Sequence, residues 1–168
     1  MFFLCFLTFN VNCQNQWSRK QLSYNNQEYK AKAYASNNIL LYSTSNQLGD
    51  KKMELPKNIE FHPNQLTKDY KQIYDTFWEI FSKERLDILR NGKNLQIIFF
   101  VTPNGEVLEL AFLFHLDSKI SLKEYYDLEN AMKGKTLFKV PSTFKDANFL
   151  RFSIPMNFEK IYNKNFTQ

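Results

Sequence analysis

The sequence predicts an α+β fold. Its centre is a three-stranded antiparallel sheet, order 2-1-3, with two helices on one face in the chain order α-β-β-α-β, preceded by an N-terminal β-hairpin. Three observations predict it. A wide apolar stripe at helical spacing runs from Asn64 to Arg90; two apolar runs flank the turn Thr102-Pro-Asn-Gly105; and a helix starting at Ser121 is followed by an alternating segment, Asn148 to Phe158. With the apolar run LQIIFFV central, the last strand lies beside it and both helices cover one face of the sheet.

The N-terminal hairpin comes first. In QEYKAKAYA, Tyr29, Ala31 and Ala33 fall on one face and Glu28, Lys30 and Lys32 on the other, a period of two. Ser36-Asn37-Asn38 turns the chain into a short strand, Ile39 to Tyr42. Ser43 to Pro63 is a connector punctuated by Gly49-Asp50, Pro56 and Pro63. The stripe of Leu66, Tyr70, Ile73, Tyr74, Phe77, Trp78, Phe81 and Leu89 then predicts one long helix, closed by a left-handed stop at Asn91-Gly92.

Leu95 to Val101 is short, apolar and bounded by turn residues, so it reads as a strand buried on both faces. Pro103 presets the first turn position and Gly105 tolerates positive φ, so Glu106 to His115 returns as the second strand of a hairpin. Ser121 and Glu124 form a capping box for a helix whose stripe is Leu122, Tyr125, Leu128 and Met132, and Gly134 ends it. In the final strand, Phe149, Arg151, Ser153 and Pro155 oppose Leu150, Phe152, Ile154 and Met156. Pro155 has no N–H, which marks an edge strand. The tail, residues 161–168, is expected to fray.

The chain carries 17 Phe and 9 Tyr, an apolar content too large for a disordered polypeptide. Its net charge of +5 is scattered instead of clustered, which argues against a nucleic-acid groove. Met1 to Phe9 is almost wholly apolar but too short to span a bilayer, which needs about 20 apolar residues. It suits the core of a secretory signal peptide covering residues 1–13. Cys13 either ends that signal or carries lipid as in bacterial lipoproteins, which is the one route to a membrane that the sequence offers. Both cysteines, Cys5 and Cys13, lie in this segment, so a chain beginning at Gln14 forms no disulfide. The remaining divisions are a hairpin and connector over 14–63 and an α+β domain over 64–160.

Little points to catalysis. His62 precedes Pro63 in the connector and His115 ends a strand, with no metal-ligand spacing between them. Asp69, Asp75, Asp127 and Glu129 sit on the polar sides of the two helices, and four glycines cannot make a phosphate loop. No catalytic, cofactor-binding or metal-binding residue is therefore assigned, and no cofactor is expected.

Three pieces in order carry a resemblance: the hairpin QIIFFVTPNGEVLEL, the helix EYYDLENAMK with the following TLFKV, and the terminal RFSIPMNF. Over about Lys68 to Lys160 they resemble the C-terminal domain of TonB-like periplasmic proteins. The whole chain also resembles small secreted proteins of Bacteroidetes built on this plan. The sequence has neither the membrane-spanning helix nor the Pro-rich spacer of a TonB energy transducer. What the resemblance implies is the fold and a binding mode in which a partner segment adds beside the last strand. The matching residues are Phe152, Ile154, Met156 and Phe158. The expected function is that of a secreted or periplasmic, non-enzymatic module of a Gram-negative bacterium that binds a protein partner. An outer-membrane lipoprotein held by Cys13 is the alternative location. Alternative functions are a hydrolase of unrecognised type, with carboxylates or His115 converging on a pocket, and a small-ligand carrier with an internal cavity.

Overall fold

A computed structural model of the protein describes residues 21–34, 37–92 and 95–164. The proposed signal segment, Cys13 and Trp17 lie outside them. The fold is α+β, built on a six-stranded antiparallel sheet in the order β1-β2-β3-β6-β5-β8. Its strands are β1 (Gln21–Tyr24), β2 (Gln27–Tyr34), β3 (Asn38–Ser43), β5 (Leu95–Val101), β6 (Val107–His115) and β8 (Leu150–Met156). Two short strands, β4 (Thr67–Lys68) and β7 (Phe138–Lys139), pair separately. The helices are α1 (Tyr70–Ile80), α2 (Lys83–Arg90), α3 (Leu122–Met132) and α4 (Phe158–Tyr162).

The expected three-stranded sheet is thus corrected to six strands. Across β6-β5-β8 the first strand of the hairpin lies between its second strand and the last one. The N-terminal strands, however, are not a separate hairpin. β3 pairs with β6 through Ile39↔Phe114 and Leu41↔Phe112, adding two apolar cross-strand pairs on the buried face. β1, which the polar composition of its neighbourhood concealed, pairs with β2 through a two-residue turn whose Asn25 and Asn26 both have positive φ, the geometry of a tight hairpin turn.

The single long helix is also corrected. Pro63–Gln65 forms a 3-10 turn and β4 follows, before Asp69 caps α1 by accepting from the Gln72 N–H. The chain leaves helical geometry at Phe81 and restarts at Ser82, whose hydroxyl accepts from the Arg85 N–H. The break turns two amphipathic stripes separately onto the core: Ile73, Tyr74 and Phe77 from α1, and Leu86 and Leu89 from α2. Gly92 has no left-handed φ; α2 ends simply on Asn91.

The C-terminal end does not fray at residue 161. Asn157 caps α4, Ile161 is fully buried, and the Trp78 indole N–H donates to the Ile161 carbonyl at 2.8 Å. The Arg90 guanidinium lies 4.4 Å from the Tyr162 ring centroid, a cation–π contact. Phe158 therefore opens a helix and is no part of the last strand, which stops at Met156.

Strand alternation sorts the sheet into two faces. One row, Ala31-Leu41-Phe112-Ile97-Ile154, faces the helices. There Phe112 and Phe114 pack on Tyr125 of α3, and Phe99 packs on Phe138. The next row, Lys30-Tyr42-Ala111-Ile98-Ser153, faces the opposite way, and none of the four helices covers it.

Candidate functional site

The residues expected to meet a partner along the last strand are all on the helix side. Phe152 is 5% exposed, Ile154 2%, Met156 0% and Phe158 3%. Phe152 is held by ring contacts with Phe99, Phe138 and Phe61, so its side chain belongs to the core. The sequence contained the signal that would have settled this. Arg151, Ser153 and Pro155 alternate with these residues, and the polar set takes the solvent side.

The backbone edge of β8 is also poorly prepared to receive a strand. Residues 151, 153 and 155 turn their main-chain groups away from β5. The Arg151 N–H already meets the Met53 sulfur at 3.4 Å, and Pro155 has no N–H. Ser153 is left as the one outward main-chain donor among these three.

The connector after β3 forms a strap across one end of the helix-free face. The Asn46 carboxamide donates to the Leu110 carbonyl at 2.6 Å. The Gln47 and Leu48 N–H groups both donate to the Glu109 carboxylate, at 2.7 and 2.9 Å. Further on, Glu54 N–H donates to the Asn148 side chain, and Asn148 donates back to the Lys52 carbonyl. The strap then rounds the β8 edge, and Phe61 packs edge-on against Phe144 on the helix side, 5.4 Å between ring centroids.

Between the strap and the far ends of β2 and β3 lies an open groove of about 440 Å³. Its floor is apolar and comes from three central strands: Leu40 and Tyr42 of β3, Ala111 of β6, and Ile98 and Phe100 of β5. Phe100 and Ala111 are buried, and the other three are half-buried. The rim is polar and exposed: Lys32 and Tyr34 of β2, Asp50 of the strap, and Arg151 and Ser153 of β8. Tyr34, 56% exposed, is one of the two large apolar side chains most open to solvent among the described residues. A hollow of about 250 Å³ bordered by Gln96, Leu113 and Pro155 extends along the same face.

On this side of the sheet Lys30, Lys32 and Arg151 are accompanied by Glu28, Glu109 and Asp50. Neither Lys32 nor Arg151 takes part in an ion pair among the described residues. Glu109, by contrast, is held by two backbone N–H donors.

Titratable groups concentrate elsewhere. Glu129 of α3 is 1% exposed and accepts from the Tyr29 hydroxyl at 2.9 Å and the Gln27 side chain at 3.1 Å. Its other oxygen is buried without a partner. Burial pushes the Glu129 pKa up, and burial together with the Glu129 charge pushes the Tyr29 phenol up as well. This corrects the reading of Glu129 as part of a solvated helix face; neither residue lines the groove. Glu124 behaves oppositely. Its pKa is lowered despite burial, because the Arg85 guanidinium and the Ser121 capping box hold its charged form.

The two histidines lie apart. His62 is exposed, 3.6 Å from Glu60, and His115 is 3.3 Å from Asp117. Among the described residues, no three His, Cys, Asp or Glu side chains gather to hold a metal, and no helix is long and apolar enough to cross a membrane.

The chain is similar in fold to a DUF5043 family protein from Bacteroides uniformis ATCC 8492, solved at 1.85 Å resolution. The TM-score is 0.67, with 21% identity over 81% of this chain and 83% of that one. Identity at that level speaks for the fold alone. The neighbour comes from the Bacteroidetes, the group whose small proteins the sequence resembles. No family model matches the chain, and no curated protein does.

Proposed function

We propose that this is an exported, non-enzymatic protein of a Gram-negative bacterium that binds a protein partner on the helix-free face of its sheet. The observation that carries the reading is the apolar floor of the groove, where Leu40, Tyr42 and Ile98 stay half-exposed beside buried Phe100 and Ala111, between a polar rim and a strap. A concave apolar surface with a few polar groups around it is the ordinary form of a binding site. Export is supported by the apolar Met1–Phe9 segment, and binding by partner contact is supported by a groove lining that contains neither histidine. The TonB-like resemblance suggested a different surface, the β8 edge. Met53 and Pro155 both work against strand addition there, so the proposal moves the partner from the edge to the face.

The reading is tested by placing a photo-crosslinking phenylalanine analogue at Leu113 on the open face, and separately at Ile88 on the outside of α2, in the producing organism. The Leu113 probe is expected to give a discrete protein adduct that Tyr42→Glu abolishes, while the Ile88 probe gives none. The same adduct from Ile88, or a Leu113 adduct indifferent to Tyr42→Glu, would overturn it.

A further inference from the structure

We propose that Glu129 is a pH-operated latch for the tip of the N-terminal hairpin: with its carboxyl neutral it holds residues 24–28 against α3, and on ionising it lets that tip lift while β2 stays paired with β3. The inference is independent of the groove and of what binds there.

The geometry around the carboxyl is that of a neutral acid. Glu129 is buried, and the Tyr29 hydroxyl and the Gln27 side-chain N–H both donate to the same oxygen, Oε2. Oε1 is buried with no hydrogen-bond partner among the described residues. A carboxylic acid fits this arrangement, with Oε2 as the accepting carbonyl and the proton on Oε1. A carboxylate does not, because half of its charge would face no donor in a site closed to water. Glu124, on the same helix, shows the contrast. Arg85 Nε donates to its Oε1 at 2.6 Å, and a second Arg85 nitrogen and the Ser121 N–H donate to its Oε2 at 2.9 and 2.7 Å. That carboxyl has donors on both oxygens and keeps its charge.

The charged groups around Glu129 do not make up the deficit. Tyr29 comes from β2, and Tyr24 of β1 is turned onto Tyr126. Glu109 of β6 adds a like charge. The cation acting on it is Lys133 at the end of α3, which is exposed and therefore screened by water. Asp127 pairs with Lys123, and Glu79 of α1 lies 3.9 Å from Lys135. Burial outweighs the favourable contacts and raises the carboxyl pKa.

The hairpin tip is the wall best able to move. Among the described strands β1 pairs with β2 alone, and Asn25, Asn26 and Glu28 are exposed. Beyond the two bonds to Glu129, the Asn25 side chain donates to the Tyr126 hydroxyl at 2.7 Å and the Tyr24 ring meets Tyr126 edge-on at 5.2 Å. On the sheet side the Thr44 N–H donates to the Glu28 carbonyl at 2.9 Å, and the register of β2 on β3 begins at Tyr29. The helix is anchored more deeply. Tyr125, Leu128 and Met132 of α3 are fully buried, and Tyr125 stacks on Phe114. Ionisation demands water at Oε1, and lifting the tip admits it with the loss of few apolar contacts. With the tip lifted Glu129 titrates as an ordinary carboxyl. The closed state then holds the proton more tightly than the open one, and raising the pH favours opening.

The test is amide hydrogen exchange of the full chain from about pH 4 to neutrality, corrected for the intrinsic pH dependence of exchange and repeated at several low urea concentrations. The opening constant of residues 22–28 is expected to rise several-fold with pH in the parent. It should stay level in Glu129→Gln, which keeps an accepting oxygen for Tyr29 and Gln27 and cannot ionise. Glu28→Gln, at an exposed carboxyl of the tip itself, should keep the rise. Exchange at the tip should also depend on urea more weakly than exchange at Ile97 and Phe112 of the central strands, because lifting the tip exposes less surface than unfolding the chain. A level opening constant in the parent would overturn the inference, as would a rise that persists in Glu129→Gln or vanishes in Glu28→Gln. Equal urea dependence at the tip and at Ile97 would overturn it too, because Glu129 would then act through unfolding of the whole chain.

Discussion

Gly105 shows how far a local reading carries at a single position. The turn sequence Thr-Pro-Asn-Gly asked for positive φ at its last residue, and Gly105 has φ +86°. What the turn could not reveal is its neighbour. A Cβ at Gly105 would stand 1.7 Å from the Phe138 carbonyl oxygen, where β7 passes beneath the hairpin. Two penalties coincide, an unfavourable backbone conformation and a collision with main chain that cannot rotate aside. Gly105→Ala is expected to destabilise the protein by roughly 3 kcal/mol or more, read from the urea midpoint. A loss below about 1 kcal/mol would mean that β7 is free to move away from the hairpin.

Among the elements, β8 is the one whose character rests on few side chains. Alternation in LRFSIPM predicted a half-buried strand and Pro155 predicted an edge, and both hold. The face that turned inward was misassigned for partner contact, because the same apolar residues serve a core or a binding surface equally well until the helices are in place. The edge itself is guarded by Pro155 and by the Met53 contact to the Arg151 N–H. Pro155→Thr adds a second outward donor beside Ser153 and a β-branched residue suited to a strand. Its expected effect is self-association: the sedimentation-average mass of the variant should rise with concentration more steeply than that of the parent. Identical behaviour would mean that Met53 and the strap guard the edge without help from proline. The long helix failed for a related reason. Its apolar stripe runs continuously through Phe81, and in the folded chain the extended backbone at Phe81 and the capping hydroxyl of Ser82 divide it into two helices.

At the scale of the whole molecule, the N-terminal strands and the helical layer are joined by a buried acid. Glu129 of α3 receives Tyr29 and Gln27 of β2, so the protonation of one carboxyl bears on the stability of the entire chain. Its pKa is raised by burial, and the sign follows from linkage. In the unfolded chain it titrates near about 4.3. Its contribution to stability is complete below that value and is lost as pH rises through the higher folded value. Glu129→Gln removes the titration. The stability of the parent relative to this variant should therefore decline as pH rises from about 4 towards neutrality, measured as the difference in denaturant midpoints. A constant difference across that range would mean that Glu129 stays ionised when buried. Glu124, with its lowered pKa, works in the opposite direction and is common to both proteins.

The parts legible beforehand were those set by neighbours in the chain. The Thr102–Gly105 hairpin, the Ser121 capping box and the proline-marked edge each depend on a few consecutive residues whose turn, cap or missing donor acts wherever they are placed. The six-stranded sheet, the strap anchored on Glu109 and the groove between Lys32 and Arg151 depend on pairings between distant segments. β3 against β6 and the strap against β8 win by burying apolar area and satisfying main-chain donors together. That balance exists only once the chain is folded, so tertiary packing decided which apolar residues became core and which were left open as a floor.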